Sequence, residues 1–363
     1  MINFEKEVRA ALKKRSVADF IESNKKLVSK NKKIYVIGKN EQSSEIVGRY
    51  KVAGLIDDFS QSSESWGGVH TVKTEDVEAS SLIINCVTSI SPIKVKNHLK
   101  SAGLENVLQI SDLISEDSNP LSLPWFVAQQ RDEMRLYQSW WNELFAKMSD
   151  DLSQKTLLDI VRFRLTADSD YMNDYEVRLN DQYFEDFMGY RNEVFIDAGG
   201  YDGDTTEEFI KRYPDYKKIY LFEPSKKNLS AAKLRLHGLR DIDFRSVGLS
   251  EEQGTIFFDA DAGSSSAVVQ DSGELISVVA LDEELRDEQI TFIKMDLEGW
   301  EMNALRGAEQ TIKKKKPKLA IAVYHAAKDF REIPKYILDI NPEYKIYLRH
   351  YTQGWSETVM FFL

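Results

Sequence analysis

At 363 residues the chain exceeds the usual span of one domain, so two compact units with a connecting region are expected. Hydrophobic residues make up 42% and charged residues 29%, enough to build cores, and no apolar run approaches the roughly 18 residues a membrane helix requires. The net charge of −11 divides unevenly, +3 over residues 1–115 and −14 over the rest, and so acidic a second part is a poor partner for nucleic-acid phosphates.

The first fifteen residues are charged throughout and lack the apolar centre of a secretory leader, so a cytoplasmic protein is expected. Phe4, Val8, Ala11 and Leu12 share one helical face among Lys and Arg. That face either packs on its own domain, the preferred reading, or rests on an anionic membrane or a partner. This basic helix is assigned to residues 1–32. The single cysteine, Cys86, excludes an internal disulfide, and its apolar run Leu82-Ile83-Ile84-Asn85-Cys86-Val87 marks it as a core thiol.

Lys33 to Gly38 reads as a buried strand ending at a turn, Glu41 to Tyr50 as the helix behind it, and Val52 to Asp58 as a second strand ending in paired acids. Gly67-Gly68 marks a turn and Leu82 to Val87 another buried strand. Alternating strands and helices predict a small Rossmann-like parallel sheet over 33–115. This stretch resembles the nucleotide-sugar-binding N-terminal domain of certain bacterial sugar acetyltransferases. If a ligand is bound there, Gly38, Asp57 and Asp58 are the positions to meet it; a structural or docking domain is the alternative.

Ser118-Asn119-Pro120 and Leu123-Pro124 break the pattern, and a helical connector with a candidate lid is expected over 116–190. Trp125, Phe126, Tyr137, Trp140, Trp141, Leu144 and Phe145 are read mainly as packing residues, with a sugar-stacking platform as the alternative. Tyr171, Tyr175 and Tyr183 are the aromatic members of the lid, just before the next strand.

Strands are expected near 193–198, 218–223, 242–247, 290–296, 318–324, 344–350 and 357–363, the last two closing an antiparallel hairpin around a loop containing Gly354. The first runs into Asp197-Ala198-Gly199-Gly200-Tyr201-Asp202-Gly203-Asp204-Thr205-Thr206. The glycines permit a tight turn close to a ligand, and Thr205 and Thr206 are expected to cap a helix whose free N–H groups face an anion. The spacing is not the Gly-x-Gly-x-x-Gly of nicotinamide sites, and the next strand ends in Glu223, suited to two ribose hydroxyls. Turn, acid and hairpin together favour S-adenosylmethionine, with a carboxylate at the first strand end facing its ammonium group.

These residues, with Phe222-Glu223-Pro224, Val247-Gly248-Leu249-Ser250 and Ile293-Lys294-Met295-Asp296-Leu297-Glu298-Gly299-Trp300-Glu301, resemble the FkbM methyltransferases over about 183–363. The resemblance implies a Rossmann-like, seven-stranded class I methyltransferase domain at 191–363. It also implies methyl transfer from S-adenosylmethionine to a hydroxyl of a sugar, glycan precursor or related natural product. Cofactor contacts would then fall on Asp197, Gly199, Gly200, Tyr201, Gly203, Thr205, Glu223, Pro224, Val247 and Asp296. The serine loop Gly263-Ser264-Ser265-Ser266 resembles the family's loop over the cofactor.

Methyl transfer needs alignment more than covalent help, but an alcohol must also lose a proton. His325 is the expected base because an unperturbed imidazole is neutral and basic near pH 7; Asp296 and Glu298 flank the reacting groups. A metal held by Asp296, Glu298, His325 and His350 is conceivable, but their spacing matches no compact ligand motif, and none is expected. The competing readings are an NAD-dependent sugar oxidoreductase or epimerase, and a non-catalytic scaffold in a glycan-assembly complex. Oligomeric state is not legible.

Overall fold

The computed structural model of the chain describes residues 3–14, 19, 22, 23, 25, 26, 32–60, 64–114, 121–258, 268, 269 and 273–363. Its contacts gather into two units, one of residues 1–146, 154–177 and 351–356, the other of 147–153, 178–350 and 357–363. Of the stretch 116–190 expected as a connector, residues up to 146 and 154–177 fall in the first unit, and 147–153 and 178–190 in the second.

In the first unit the described residues form a six-stranded sheet in the order β3-β4-β2-β1-β5-β6. The strands are β1 (Ile34–Ile37), β2 (Val52–Ile56), β3 (Ser65–Trp66), β4 (Val69–Val72), β5 (Leu82–Asn85) and β6 (Val107–Gln109). All neighbours are parallel except the short hairpin β3–β4. Helix α1 (Phe4–Leu12) buries Phe4, Val8 and Ala11, with Phe4 5.0 Å from Phe145 ring to ring. Its apolar face is thus taken up within its own unit, in line with the preferred reading. Asn40 caps helix α2 (Glu41–Arg49) through a reciprocal bond with Ser43. Helix α3 (Pro92–Ser101) comes after β5, and the long helices α4 (Trp125–Lys147) and α5 (Asp151–Thr166) stack Phe126 on Phe163 at 5.7 Å.

The described residues of the second unit hold a seven-stranded sheet in the order β16-β17-β15-β14-β7-β8-β9. Its central strands, β7 (Val194–Ala198), β8 (Lys218–Phe222), β14 (Phe292–Met295) and β15 (Lys318–Ala322), are buried and mainly apolar, as parallel strands covered on both faces are, with Asp197 and Lys294 the charged residues buried in them. Phe195 and Phe292 stack at 4.6 Å beneath Phe209 of α6 (Asp204–Arg212). β9 (Ile242–Arg245) forms one edge; at the other, β17 (Thr358–Phe362) pairs antiparallel with both β15 and β16 (Ile346–His350). A four-stranded sheet, with β10 (Gly248–Leu249), β11 (Gly254–Phe258), β12 (Val268–Val269) and β13 (Glu274–Val279), fills the connection after β9. Among the described residues no helix is long and apolar enough to cross a membrane.

Candidate active site

The site lies at the carboxyl ends of β7, β8, β14 and β15, where open α/β sheets present their loops. After β7 the chain turns through Gly199 (φ 77°) and Gly203 (φ 84°). A Cβ on Gly199 would stand 1.9 Å from the Asp296 carbonyl oxygen, and one on Gly200 2.4 Å from Leu221 Cγ. These glycines admit neighbouring protein, not only a ligand. The helix start differs from expectation: Gly203 is the N-cap of α6, without a side-chain bond, and Thr206 turns inward. Thr205 sits in the first turn with its N–H donating to Asp204.

Asp197 is fully buried and spends both oxygens on the protein: Oδ1 lies 3.1 Å from Lys294 Nζ, and Oδ2 accepts from the Thr206 hydroxyl at 2.7 Å. This is the carboxylate expected to face an ammonium group, and Lys294 and Thr206 are its side-chain neighbours. Lys294, directly across the parallel register from Asp197, also donates to the carbonyls of Gly199 at 2.7 Å and Ala198 at 3.2 Å. Burial alone would depress its pKa, but Asp197 and Asp296 outweigh that and raise it.

Glu223, just beyond β8, links two turns by accepting from the N–H groups of Tyr201 at 3.0 Å and Ser225 at 2.8 Å. Burial pushes its pKa up to about 7, against the opposing pull of those N–H groups. Tyr201 itself holds a positive φ of 42°. Pro224 and Val247 are half-buried on the loops after β8 and β9.

Asp296, Glu298 and His325 come together, each placing one ligand-type atom within 4.8 Å of the others. His325 Nε2 is 3.4 Å from Asp296 Oδ1 and 3.2 Å from Glu298 Oε2, while Nδ1 is 3.2 Å from Glu301 Oε1. Burial would lower the imidazole's pKa, but Glu301, Glu298 and Asp296 hold it well above its ordinary value. The imidazole expected as the base therefore sits among three carboxylates, Asp296, Glu298 and Glu301. Burial raises the pKa of Glu298 and takes that of Glu357 up to about 7, with Asp296 adding to both. His350 takes no part, since its Nδ1 pairs with the Thr358 hydroxyl at 2.9 Å.

Of the three lid tyrosines, Tyr183 reaches the site, donating to Asp296 Oδ2 at 2.6 Å from a backbone with φ 75°. In the first unit, Tyr175 pairs with Asp159 and Tyr171 lies against Lys14 and Arg162. The serine loop 263–266 lies outside the described residues. Lys294, Glu301 and Glu357 were missed from the sequence as site residues; a lysine inside the apolar run of β14 was the one available signal.

The first unit has its own cleft of about 400 Å³ at the ends of β1 and β5, lined by Gly38, Asn40, Thr88, Trp125 and Trp355 among others. Asp57 and Asp58 do not line it: Asp57 binds Lys39 and the Phe59 and Ser60 N–H groups, and Asp58 binds Thr74 and His98.

Residues 197–345 match the family model described as the methyltransferase FkbM domain. Among solved structures the chain is similar in fold to an FkbM methyltransferase from Methylobacillus flagellatus KT, with 22% identity, 99% of each chain covered and a TM-score of 0.75. Over part of its length it also matches an rRNA methylase from Streptococcus thermophilus, with 18% identity, 49% of this chain and 91% of that one, and a TM-score of 0.34. No curated protein matches the chain in sequence.

Proposed function

Because the chain carries an FkbM methyltransferase domain over residues 197–345, and is thus an S-adenosylmethionine-dependent methyltransferase, we propose that it methylates a hydroxyl of a sugar, glycan precursor or related natural product in the cytoplasm. In this reading the turn from Gly199 through Tyr201 and Gly203 to Thr205 takes the methionine part of the donor. Glu223 accepts from the ribose hydroxyls, with Pro224 and Val247 beside the adenosine. Asp197 acts through Lys294, fixing the carbonyl of Gly199 and hence the shape of the turn.

The observation that carries an oxygen acceptor is the group of carboxylates about His325, facing the same strand ends as the turn. An alcohol attacks the sulfonium methyl in line; the C–O bond forms as the C–S bond breaks, and the electron pair returns to sulfur. The hydroxyl proton goes to a carboxylate of this cluster. Glu357, at about 7, is matched to that exchange near neutral pH, with Asp296, Glu298 and His325 at the acceptor end of the pocket.

The test is incubation with methyl-labelled donor and a set of nucleotide sugars and glycans. Label is expected in an acid-stable, base-stable methyl ether on one of them. Label appearing only on nitrogen, carbon or a carboxyl would refute the hydroxyl assignment.

A further inference from the structure

We propose that Asp296, Glu298 and His325 form a binding site for a divalent cation of the Mn²⁺ or Mg²⁺ class. The proposal rests on the hydroxyl-methylating function and deepens it, placing the cation at the acceptor end of the pocket. The geometry comes first. Adjacent ligands on a six-coordinate ion of this size stand about 3 Å apart. Here Nε2 of His325 is 3.2 Å from Glu298 Oε2 and 3.4 Å from Asp296 Oδ1, and all three ligand atoms fall within 4.8 Å of one another.

A second, independent observation is the imidazole itself. The His325 side chain is only 9% exposed, yet neither ring nitrogen makes a hydrogen bond of acceptable geometry, although carboxylates lie close by. Nε2 points into the space between Asp296 and Glu298 without satisfying it, as a ligand lone pair does when its partner is a metal.

The surroundings are those of a metal-ligating histidine. Nδ1 faces Glu301 Oε1 at 3.2 Å, and that carboxylate is fixed by the Leu297 N–H at 2.7 Å. A carboxylate behind the distal ring nitrogen sets tautomer and ring plane. Asp296 is oriented likewise: Tyr183 donates to Oδ2 at 2.6 Å, the Tyr324 hydroxyl lies 3.4 Å from both oxygens, and Oδ1 is 3.4 Å from His325 Nε2. Two carboxylates with one imidazole suit an oxygen-preferring ion that also accepts nitrogen, which favours Mn²⁺ over Mg²⁺. Three protein ligands leave positions for a hydroxyl pair of the acceptor, whose acidity the ion raises.

The experiment is an electron-paramagnetic-resonance titration of the full chain with Mn²⁺, without donor or acceptor, so that it stands or falls apart from the substrate assignment. One tightly bound ion per chain is expected, with nitrogen hyperfine coupling from one imidazole. His325→Ala is expected to abolish the coupling, and Asp296→Asn to weaken binding by at least about 10–100-fold, the range a supporting residue alone accounts for. Glu301→Gln, which leaves the three ligands in place, is expected to weaken it by about tenfold. The proposal is overturned if the wild-type chain binds no Mn²⁺, or if its bound Mn²⁺ shows no nitrogen coupling. Circular dichroism on each variant separates lost binding from lost folding.

Discussion

Lys294→Met is expected to destabilise the second unit by about 3–5 kcal/mol, the range for stripping one partner from a buried ion pair. Asp197 is fully buried, and with Lys294 gone the side-chain partner that remains to it among the described residues is the Thr206 hydroxyl. The carbonyls of Ala198 and Gly199 lose a donor in the same step. Urea denaturation followed by tryptophan fluorescence and circular dichroism measures the loss. Adding Asp197→Asn to Lys294→Met is expected to recover part of it, because a neutral amide needs no counter-charge, and a double-mutant cycle extracts the coupling. Additive effects of the two substitutions would show that the pair is not the brace of the turn.

Gly199→Ala is expected to have an effect of similar size for a different reason. The new methyl would stand 1.9 Å from the Asp296 carbonyl oxygen, which is backbone and cannot rotate away, and the residue would keep φ at 77°. The left-handed backbone alone costs about 1–2 kcal/mol for an L-residue. Gly238→Ala serves as the control: φ is 83° there, and among the described residues beyond its chain neighbours no atom lies within 4 Å of the added Cβ. It is expected to show the backbone cost only, so the difference in thermal midpoint between the two variants reports the clash. Equal midpoints would mean that the turns after β7 and β14 do not approach each other as described.

Strands were readable in the sequence wherever they are buried on both faces. Val194–Ala198, Lys218–Phe222, Phe292–Met295 and Lys318–Ala322 are apolar runs closed by turn residues, and each lies within two residues of its expected bounds. The partners of buried charges were not readable, because they depend on register. Lys294 stands opposite Asp197 only once β14 pairs with β7, about a hundred residues away in the chain. The same holds for His325, whose carboxylate neighbours Asp296, Glu298 and Glu301 come from the segment after β14. Tyr183 was readable as an aromatic near the site, but not as the donor to Asp296, since its left-handed backbone obeys no local signal. In the first unit the alternation of strands and helices was legible, whereas Asp57, which looks like a ligand contact, serves a local turn and Asp58 ties in Thr74 and His98.

The pocket formed by the Gly199–Gly203 turn and Glu223 is tested most directly by calorimetric titration with S-adenosylhomocysteine between pH 5.5 and 8.5. One equivalent is expected to bind. Ribose hydroxyls donate more strongly to a carboxylate than to a neutral acid, so affinity should rise as pH passes upward through about 7, where the buried Glu223 ionises. Glu223→Gln should bind weakly and lose that pH dependence. A wild-type chain that retains no S-adenosylhomocysteine at any pH in this range would contradict the account.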